Sequence, residues 1–562
     1  MLMAAAAFVG CSNDDEIAGS NGTSGETETN YLSVNIVPTS GATRAAGDKY
    51  DEGGDKYEDG LTTENTVDMV RFYFFDARGN ASKIKYTGES YYDWEKPEVG
   101  GENHPETVEK LLAATIVIQS TVSNDADEDD NVNLLPVSII AILNPTAEIL
   151  ALTNPTVDEL NEVVEDYAAE ANKEKDAKFV MSNSIYALNS EKMEAVSVEG
   201  HVYSTKEAAE ENPVQIYVER TVAKVRMQIG LEEVDKEEAD DMDETTPIYE
   251  TGEEGIYVKF LGWNVTATMP QAYLMKAINP TWNMSFTWNV SDYHRSFWAG
   301  IPAEMESQYG DFYDAKLFDF GTKNYTYTQE NAQENTKTGV VGAAAATTAP
   351  TQVILAAQLV NKSGKPLTVV EYAGLKVTEE AAIAALADAA NVYKKTQDGG
   401  KDVYTKITPE DVKLATAMTA GAADQNKAGR YFVYIQMDKE TFADGNWCIG
   451  KAENTQPAAS VEEINAELVK AGRAKVWSEG YTYYYFDIRH LATSEEAPGY
   501  YGVVRNHIYD ATVKTLQGLG TPVYDPEEVI YPEHPEKEDT FVGAQINILS
   551  WHIVNNNVDL VW

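Results

Sequence analysis

At 562 residues the chain is long enough for several domains, and its 43% hydrophobic and 10% aromatic content supplies real cores, which excludes a disordered acidic tail. Forty-three basic against 91 acidic side chains leave a formal charge of -48, which argues against nucleic acid or an anionic membrane surface as a partner. The only two cysteines, Cys11 and Cys448, are too far apart to suggest a disulfide framework or a Cys-based zinc site.

Residues 1–10, MLMAAAAFVG, form an apolar run of small residues that ends directly against Cys11 and is followed by the polar stretch SNDDE. This is the shape of a lipoprotein signal whose cysteine becomes the lipidated first residue of the exported chain. The run has no basic lead and is short for a complete signal, which points to a true start upstream. No other segment approaches the ~20 apolar residues needed to span a bilayer, so attachment is expected through acyl chains alone.

Residues 13–30 are a Gly/Ser/Thr/Asn/acid tether. Then YLSVNIV at 31–37 alternates, with Leu32, Val34 and Ile36 on one face, and predicts a half-buried strand. Arg44 follows in a stretch of small residues and is the first basic residue of the chain, an accessible site for a trypsin-like protease.

From Val67 onward short β-like runs dominate, at 69–76, 115–122 and 137–143. Thr156 with Glu159 forms a capping box ahead of Leu160, Val163, Val164 and Tyr167, predicting one continuous helix. Three further capped helices are predicted after Thr378, after Thr408-Pro409 and after Ser460. The run 214–229, VQIYVERTVAKVRMQI, predicts one long strand opening a second sandwich, and later strands are expected at 259–267, 351–359, 430–437, 482–489 and 507–513. Residues 521–540 read as an extended Pro/Glu-rich connector poor in core residues. Beyond it β character returns, with Val558, Leu560 and Trp562 alternating to the end of the sequence. Short strands with scattered helical insertions predict a mainly β protein of sandwich domains.

Chemistry is harder to find. None of the seven histidines stands in an HExxH or HxH pattern, and no P-loop, dinucleotide fingerprint or GxSxG elbow occurs. The acidic run Asp125, Asp127, Asp129, Asn131 imitates a calcium loop but has Asp130 where Gly is needed and Pro136 where a bidentate Glu is needed. Trp94, Trp263, Trp282, Trp288 and Trp298 are candidates for a sugar platform or, more simply, for core. Cys448 in NWCIG reads as a small buried hydrophobe. No catalytic residue, cofactor site or metal site is predicted. What remains is a lipidation site, a detachable N-terminal strand ahead of a lone arginine, and an apolar strand behind a connector, which together describe strand exchange. Cutting after Arg44 releases the strand of Leu32, Val34 and Ile36, and the Val558, Leu560, Trp562 strand of another copy adds in its place. Head-to-tail contacts of this kind do not close and so give filaments.

These residues resemble a known family. VGCSNDDE, GATRAAGD, VSIIAILNPTA, VERTVAKVRM, YYYFDIRH, YGVVRNHIYDATVKTLQGLG and INILSWHIVNNNVDL are similar to the major subunit (fimbrillin) of Bacteroidales fimbriae, the type V pilus proteins, and most closely to the short-fimbria subunit. The C-terminal motifs are the most specific, and the stretch from Asp235 to Gly480 matches only loosely. The resemblance implies a lipoprotein precursor acylated on Cys11 at the outer membrane, cleavage by an arginine-specific protease between Arg44 and Ala45, and polymerisation into a cell-surface fimbrial stalk serving adhesion and biofilm. It implies two transthyretin-like β-sandwiches with short helical insertions. The expected division is a signal at 1–10, a propeptide with its removable strand at 11–44, sandwiches at 45–212 and 213–520, and connector with donor strands at 521–562. Partners would be other copies, anchor and tip subunits, the protease, and host or bacterial surface receptors. The alternatives are an accessory or tip subunit, or a surface glycan-binding lipoprotein.

Overall fold

A computed structural model gives the fold, and it describes residues 30–38, 61–84, 86–95, 112–119, 135–188, 191–238, 245–278, 293–295, 299–302, 305–321, 324–332, 349–421, 431–451, 454–490, 501–532 and 541–550. The protein is mainly β, with several sheets and short helices between them.

The first sheet is built from β1 (Asn30–Pro38), β2 (Met69–Phe75), β3 (Tyr91–Glu95), β4 (Leu112–Gln119), β5 (Ser138–Leu143), β6 (Met181–Asn183), β7 (Val202–Tyr203) and β8 (Val214–Arg220), with Val196–Ser197 added on β5. Its order runs β7-β1-β8-β6-β5-β2-β3, and β4 also pairs with β1. The central strands are apolar on both faces: every residue of β5 from Ile139 to Leu143 is buried. Such continuous runs need cover on both sides. The two ends of the sequence run 214–229 lie in different sheets. The stretch expected to open a second sandwich is divided at Thr221-Val222 into β8, which stays in the first sheet, and β9 (Ala223–Ile229), which enters the next.

Two sheets then face each other across a second core of Trp263, Leu355, Phe486 and Tyr509. One is β12 (Tyr325–Thr328), β9, β15 (His507–Gln517) and β17 (Phe541–Ser550) in that order. The other is β10 (Tyr249–Glu250), β11 (Tyr257–Thr266), β13 (Gln352–Val360), β14 (Tyr481–Asp487) and β16 (Thr521–Pro522). The β9 to β15 pairing is parallel over six residue pairs, from Lys224↔Ile508 to Ile229↔Val513, and joins segments far apart in sequence.

Between β13 and β14 the chain makes a further body. Residues 369–477 hold two small sheets and the helices Glu379–Ala389 and Val461–Leu468, closed over a core of their own that includes Leu386, Ile435, Trp447, Ile464 and Val476. Thr378 and Ser460 cap these helices as expected, accepting from the backbone N–H of Ala381 and Glu463. The other two helical expectations are corrected. The Thr156–Glu159 box forms, but its helix stops at Asn161, because Val164–Glu165 is drawn into a strand pair with Ala272–Tyr273 and Asp166 starts a new helix at Tyr167. After Thr408 the expected helix is broken into the turn Pro409–Asp411 and the short helix Ala417–Ala420, because Lys413–Thr416 between them pairs as a strand with Phe432–Gln436.

The connector is corrected as well. Its described part, 521–532, is strapped to the body: Val523 N–H donates to Tyr481 O at 3.1 Å, Ile530 N–H to Gly310 O at 2.9 Å, and Thr416 Oγ1 to Glu528 at 2.5 Å. Val523 and Ile530 are buried against Phe312, Ile354 and Tyr483.

Candidate assembly site

β1 is held on both edges. Along one it pairs antiparallel with β4, from Tyr31↔Val117 to Ile36↔Leu112. Along the other it pairs antiparallel with β7 at Tyr31↔Tyr203 and Leu32↔Val202, then parallel with β8 from Val34↔Val214 to Pro38↔Val218. Among the described residues β4 has no strand partner except β1. Thus β1 is the strip that carries β4 and β7 on the rest of the sheet.

From Leu32 to Val34 the strand is enclosed rather than half-buried. Leu32 and Val34 are 0% exposed and pack with Ile116, Val214 and Ile216 in the first core. On the opposite face Ser33 is only 4% exposed, its hydroxyl donating to Ala114 O at 3.4 Å. The helix Lys206–Glu211 lies against β1 and β4 on this side, capped by Thr205 and with Ala209 buried. That helix is why alternation alone underestimated burial. Ile36 has its backbone in the ladder, and its side chain lies outside the described residues, as do Cys11, Arg44, Ala45, Val558, Leu560 and Trp562.

β17 takes the edge of the second sheet pair, antiparallel to β15 from Gln517↔Phe541 to His507↔Ser550 with one irregularity between Val513 and Thr515. Ten residues of the region beyond the connector are therefore already docked on their own chain.

Sequence reading missed the polar hub where the first sheet meets the second core. Glu64, 0% exposed, follows the Arg44 segment and accepts from Lys224 Nζ at 2.7 Å, from the Leu61 N–H at 2.7 Å and from the Tyr327 hydroxyl. Burial alone would raise the carboxyl pKa, but these partners, Lys224 foremost, bring it below the ordinary carboxylate value. Arg220 donates to Glu64 O at 3.1 Å, to Asn65 Oδ1 at 2.6 Å and to Asn506 Oδ1 at 3.3 Å, and burial pushes its guanidinium down to about 10. Two further buried pairs tie the same region: Lys276 with Glu219 at 3.4 Å, and Arg505 with Glu330 at 2.7 Å, where Arg505 also donates to Leu274 O at 2.8 Å. The usable signal was a set of charges inside the alternating run: Arg220 stands in phase with Val214, Ile216 and Val218, and Glu219 and Lys224 flank the point where that phase changes.

The sugar-platform candidates divide. Trp263 is core, 0% exposed with its indole N–H donating to Asp319 O, and Trp94 packs half-buried on the first core. The other three tryptophans, like the acidic run at 125–131, lie outside the described residues. Cys448 is buried, as read from the sequence, and burial raises its thiol pKa. No group of side chains suited to a metal ion occurs among the described residues.

Residues 475–557, which run from within Ala474–Trp477 past β17, match the family model described as major fimbrial subunit protein type IV, fimbrillin, C-terminal. No curated protein matches the chain. Among solved structures it is similar to a fimbrilin (fimA) from Porphyromonas gingivalis W83, at 14% identity and a TM-score of 0.38, over 94% of this chain and 99% of that one. It is also similar to the tip fimbrial protein Mfa3 from Porphyromonas gingivalis, with C-terminal truncation, at 12% identity and a TM-score of 0.31, over 92% of this chain and 100% of that one.

Proposed function

We propose that this chain is a structural subunit of a cell-surface fimbrial stalk, not an enzyme, whose fimbrillin C-terminal region belongs to a polymerising joint. In this reading the precursor is exported as an outer-membrane lipoprotein acylated on Cys11 and is cut between Arg44 and Ala45 by an arginine-specific protease. The cut lets β1 leave, and the strand of Val558, Leu560 and Trp562 from another copy enters the groove that Leu32, Val34 and Ile36 vacate. Repeated head to tail, this gives a filament with anchor and tip subunits at its ends and a role in adhesion.

The observation that carries the reading is the position of β1. A strand near the start of the chain, preceding a lone arginine, is the only described partner of β4 and lies between β4 and the remainder of the sheet. Its loss would open the long edge of β4 and part of β8 together with an apolar trench lined by Ile116, Val214 and Ile216. An incoming strand gains ladder hydrogen bonds and about 1.5–3 kcal/mol for each enclosed apolar side chain. It must run parallel to β8 and antiparallel to β4, as β1 does.

The test is trimming in solution. Purified precursor should stay monomeric, and limited digestion with a trypsin-like protease should yield heat-resistant ladders on an electrophoretic gel. Mass spectrometry of surface protein should find Ala45 as the first residue. Ladders that persist after Val558–Trp562 are deleted, or their absence from digested wild type, would exclude this joint.

A further inference from the structure

Between Val196–Ser197 and β8 the chain leaves the first sheet and returns to it. Val198, 0% exposed, starts this excursion with its N–H bonded to Val137 O at 2.8 Å, and Pro213 ends it ahead of Val214, which is buried in β8. The neck is closed twice. The His201 N–H donates to Val198 O at 3.0 Å in a turn that holds Gly200 at φ +77°, and the His201 ring bonds to Asn212 O at 3.1 Å.

What lies beyond the neck is β7 and the helix Lys206–Glu211, and both rest on β1. β7 pairs with β1 and with no other strand among the described residues. The helix passes over the face of β1 opposite the core. Thr115 on β4, paired in the ladder with the buried Ser33, bonds through its hydroxyl to Glu210 at 3.3 Å. The excursion thus edges β1 on one side, crosses it and reaches the strand on its other side, while Ile116, Val214 and Ile216 close the core side. A strand so enclosed has no sideways exit while the helix is down. The hold of the helix itself is slight. It has six residues, only Ala209 of them buried, and Thr205 Oγ1 caps it by accepting from the Ala208 N–H at 3.2 Å. A helix of that length does not stand alone, and a segment with so little enclosed apolar surface opens more readily than the sheet beneath it.

We infer that residues 199–213 form a clasp that must lift before β1 can leave and before another strand can enter, so that its opening, and not the cut at Arg44 alone, sets the rate of exchange. This regulation rests on the strand-exchange reading above. Cutting then makes β1 removable in principle, and the clasp keeps it in place until the helix lifts.

The test uses the full-length chain in a Cys11→Ser background, cut at Arg44, with release of the labelled N-terminal peptide timed on a sizing column. Thr115→Cys with Glu210→Cys, joined by a short bis-methanethiosulfonate linker, ties the helix down across β1 without altering β1, and a thiol reductant removes the linker. Release should slow at least about tenfold with the linker and recover on reduction, and Thr205→Ala should speed it about fivefold through loss of the cap. A linked chain releasing its peptide as fast as the unlinked one, or Thr205→Ala releasing it no faster than wild type, would overturn the clasp and leave strand exchange standing. If cut wild type releases no peptide, strand exchange itself fails, and hydrogen exchange on the uncut chain decides the clasp. Thr205→Ala should then raise exchange at 206–212 and at Tyr31–Leu32 together, with Ile139–Leu143 in β5 unchanged; a rise confined to the helix overturns the inference.

Discussion

If β1 is the strand that leaves, weakening its hold must destabilise the precursor and speed release after cleavage. Leu32 and Val34 are the places to apply that perturbation, since both are 0% exposed and neither makes a polar contact through its side chain. Leu32→Ala removes a side chain lying level with Ile116 on one neighbour and Val202 on the other, and such changes cost about 2–5 kcal/mol. Val34→Ala takes away two methyl groups between Ala114 and Val214, about 1.6 kcal/mol before any cavity cost. The two sites share neighbours, so their sum is not strictly additive. The double variant should still lose roughly 4 kcal/mol, which at about 1.4 kcal/mol per factor of ten is several hundredfold in strand occupancy. Denaturant titration of the uncut precursor reads the first quantity, as an earlier first transition. The second is read by cutting at Arg44 and timing the loss of the labelled N-terminal peptide on a sizing column. A double variant within about 1 kcal/mol of wild type, or one releasing its peptide no faster, would show that β1 is not held by these contacts.

Glu64→Gln should cost about 3–5 kcal/mol, because Lys224 stays buried without the carboxylate it pairs with, while the Arg220 bond to the Glu64 backbone carbonyl is kept. The Glu64 pKa is depressed in the fold, so its contribution is present above the unfolded value of 4.5 and is lost as pH falls through the folded one. Thermal melts from pH 6 down to 3 should therefore fall more steeply for wild type than for Glu64→Gln. Gly520 has φ +72°, and a Cβ there would lie 2.3 Å from Thr482 Oγ1, the hydroxyl that donates to Leu519 O and Thr521 O. Gly520→Ala should cost about 1–3 kcal/mol and raise hydrogen exchange at Val523, whose N–H bonds to Tyr481 O at the start of the strap. Cys448, buried and with a raised thiol pKa, should react with a disulfide reagent at pH 8 on the order of a hundredfold more slowly when native than when denatured.

Alternation and turn residues place most strands, because each reports a local choice between an enclosed and an open face. The capping box at Thr156 and the N-cap at Ser460 start helices for the same reason: their hydrogen bonds close within three residues. The features missed in the sequence are set mostly by distant partners. Val163 and Val164 continue a helical pattern, but Val164–Glu165 pairs with Ala272–Tyr273, more than a hundred residues away. In the run 214–229 the apolar positions shift from even numbers (Val214, Ile216, Val218) to odd ones (Val225, Met227, Ile229), a phase change that reading it as one strand passed over, and the neighbours of each half assign it to two sheets. The strap looked unconstrained because Val523 and Ile530 are isolated apolar residues among prolines and acids, and each finds its cover on Phe312, Ile354 or Tyr483. Of the assembly site, the existence and inward face of β1 were legible. Its parallel pairing with β8 and the burial of Ser33 under the helix Lys206–Glu211 were not.

The hub around Glu64 explains how a strand could be exchanged without loosening the body around it. β1 and Arg44 precede Glu64 in the sequence, whereas the Glu64 partners Leu61, Lys224 and Tyr327 all follow Arg44. A cut at Arg44 therefore separates β1 from the hub covalently and leaves the hub on the retained side. The Leu61 N–H is held by Glu64, and Arg220 fastens the same turn to β8, the strand that would lose a neighbour if β1 departed. In the proposed exchange one edge of β8 would open while its other edge stays paired with β6 and its end stays anchored at the hub. Electrostatics require such an arrangement. The first 44 residues carry five acids and one base, so almost all of the -48 charge lies in the part that, in the proposed assembly, joins another copy. A joint between two such bodies cannot rely on charge attraction. It has to rest on ladder hydrogen bonds and enclosed apolar side chains, and those form with the right geometry only if the receiving edge keeps the shape that β1 gave it.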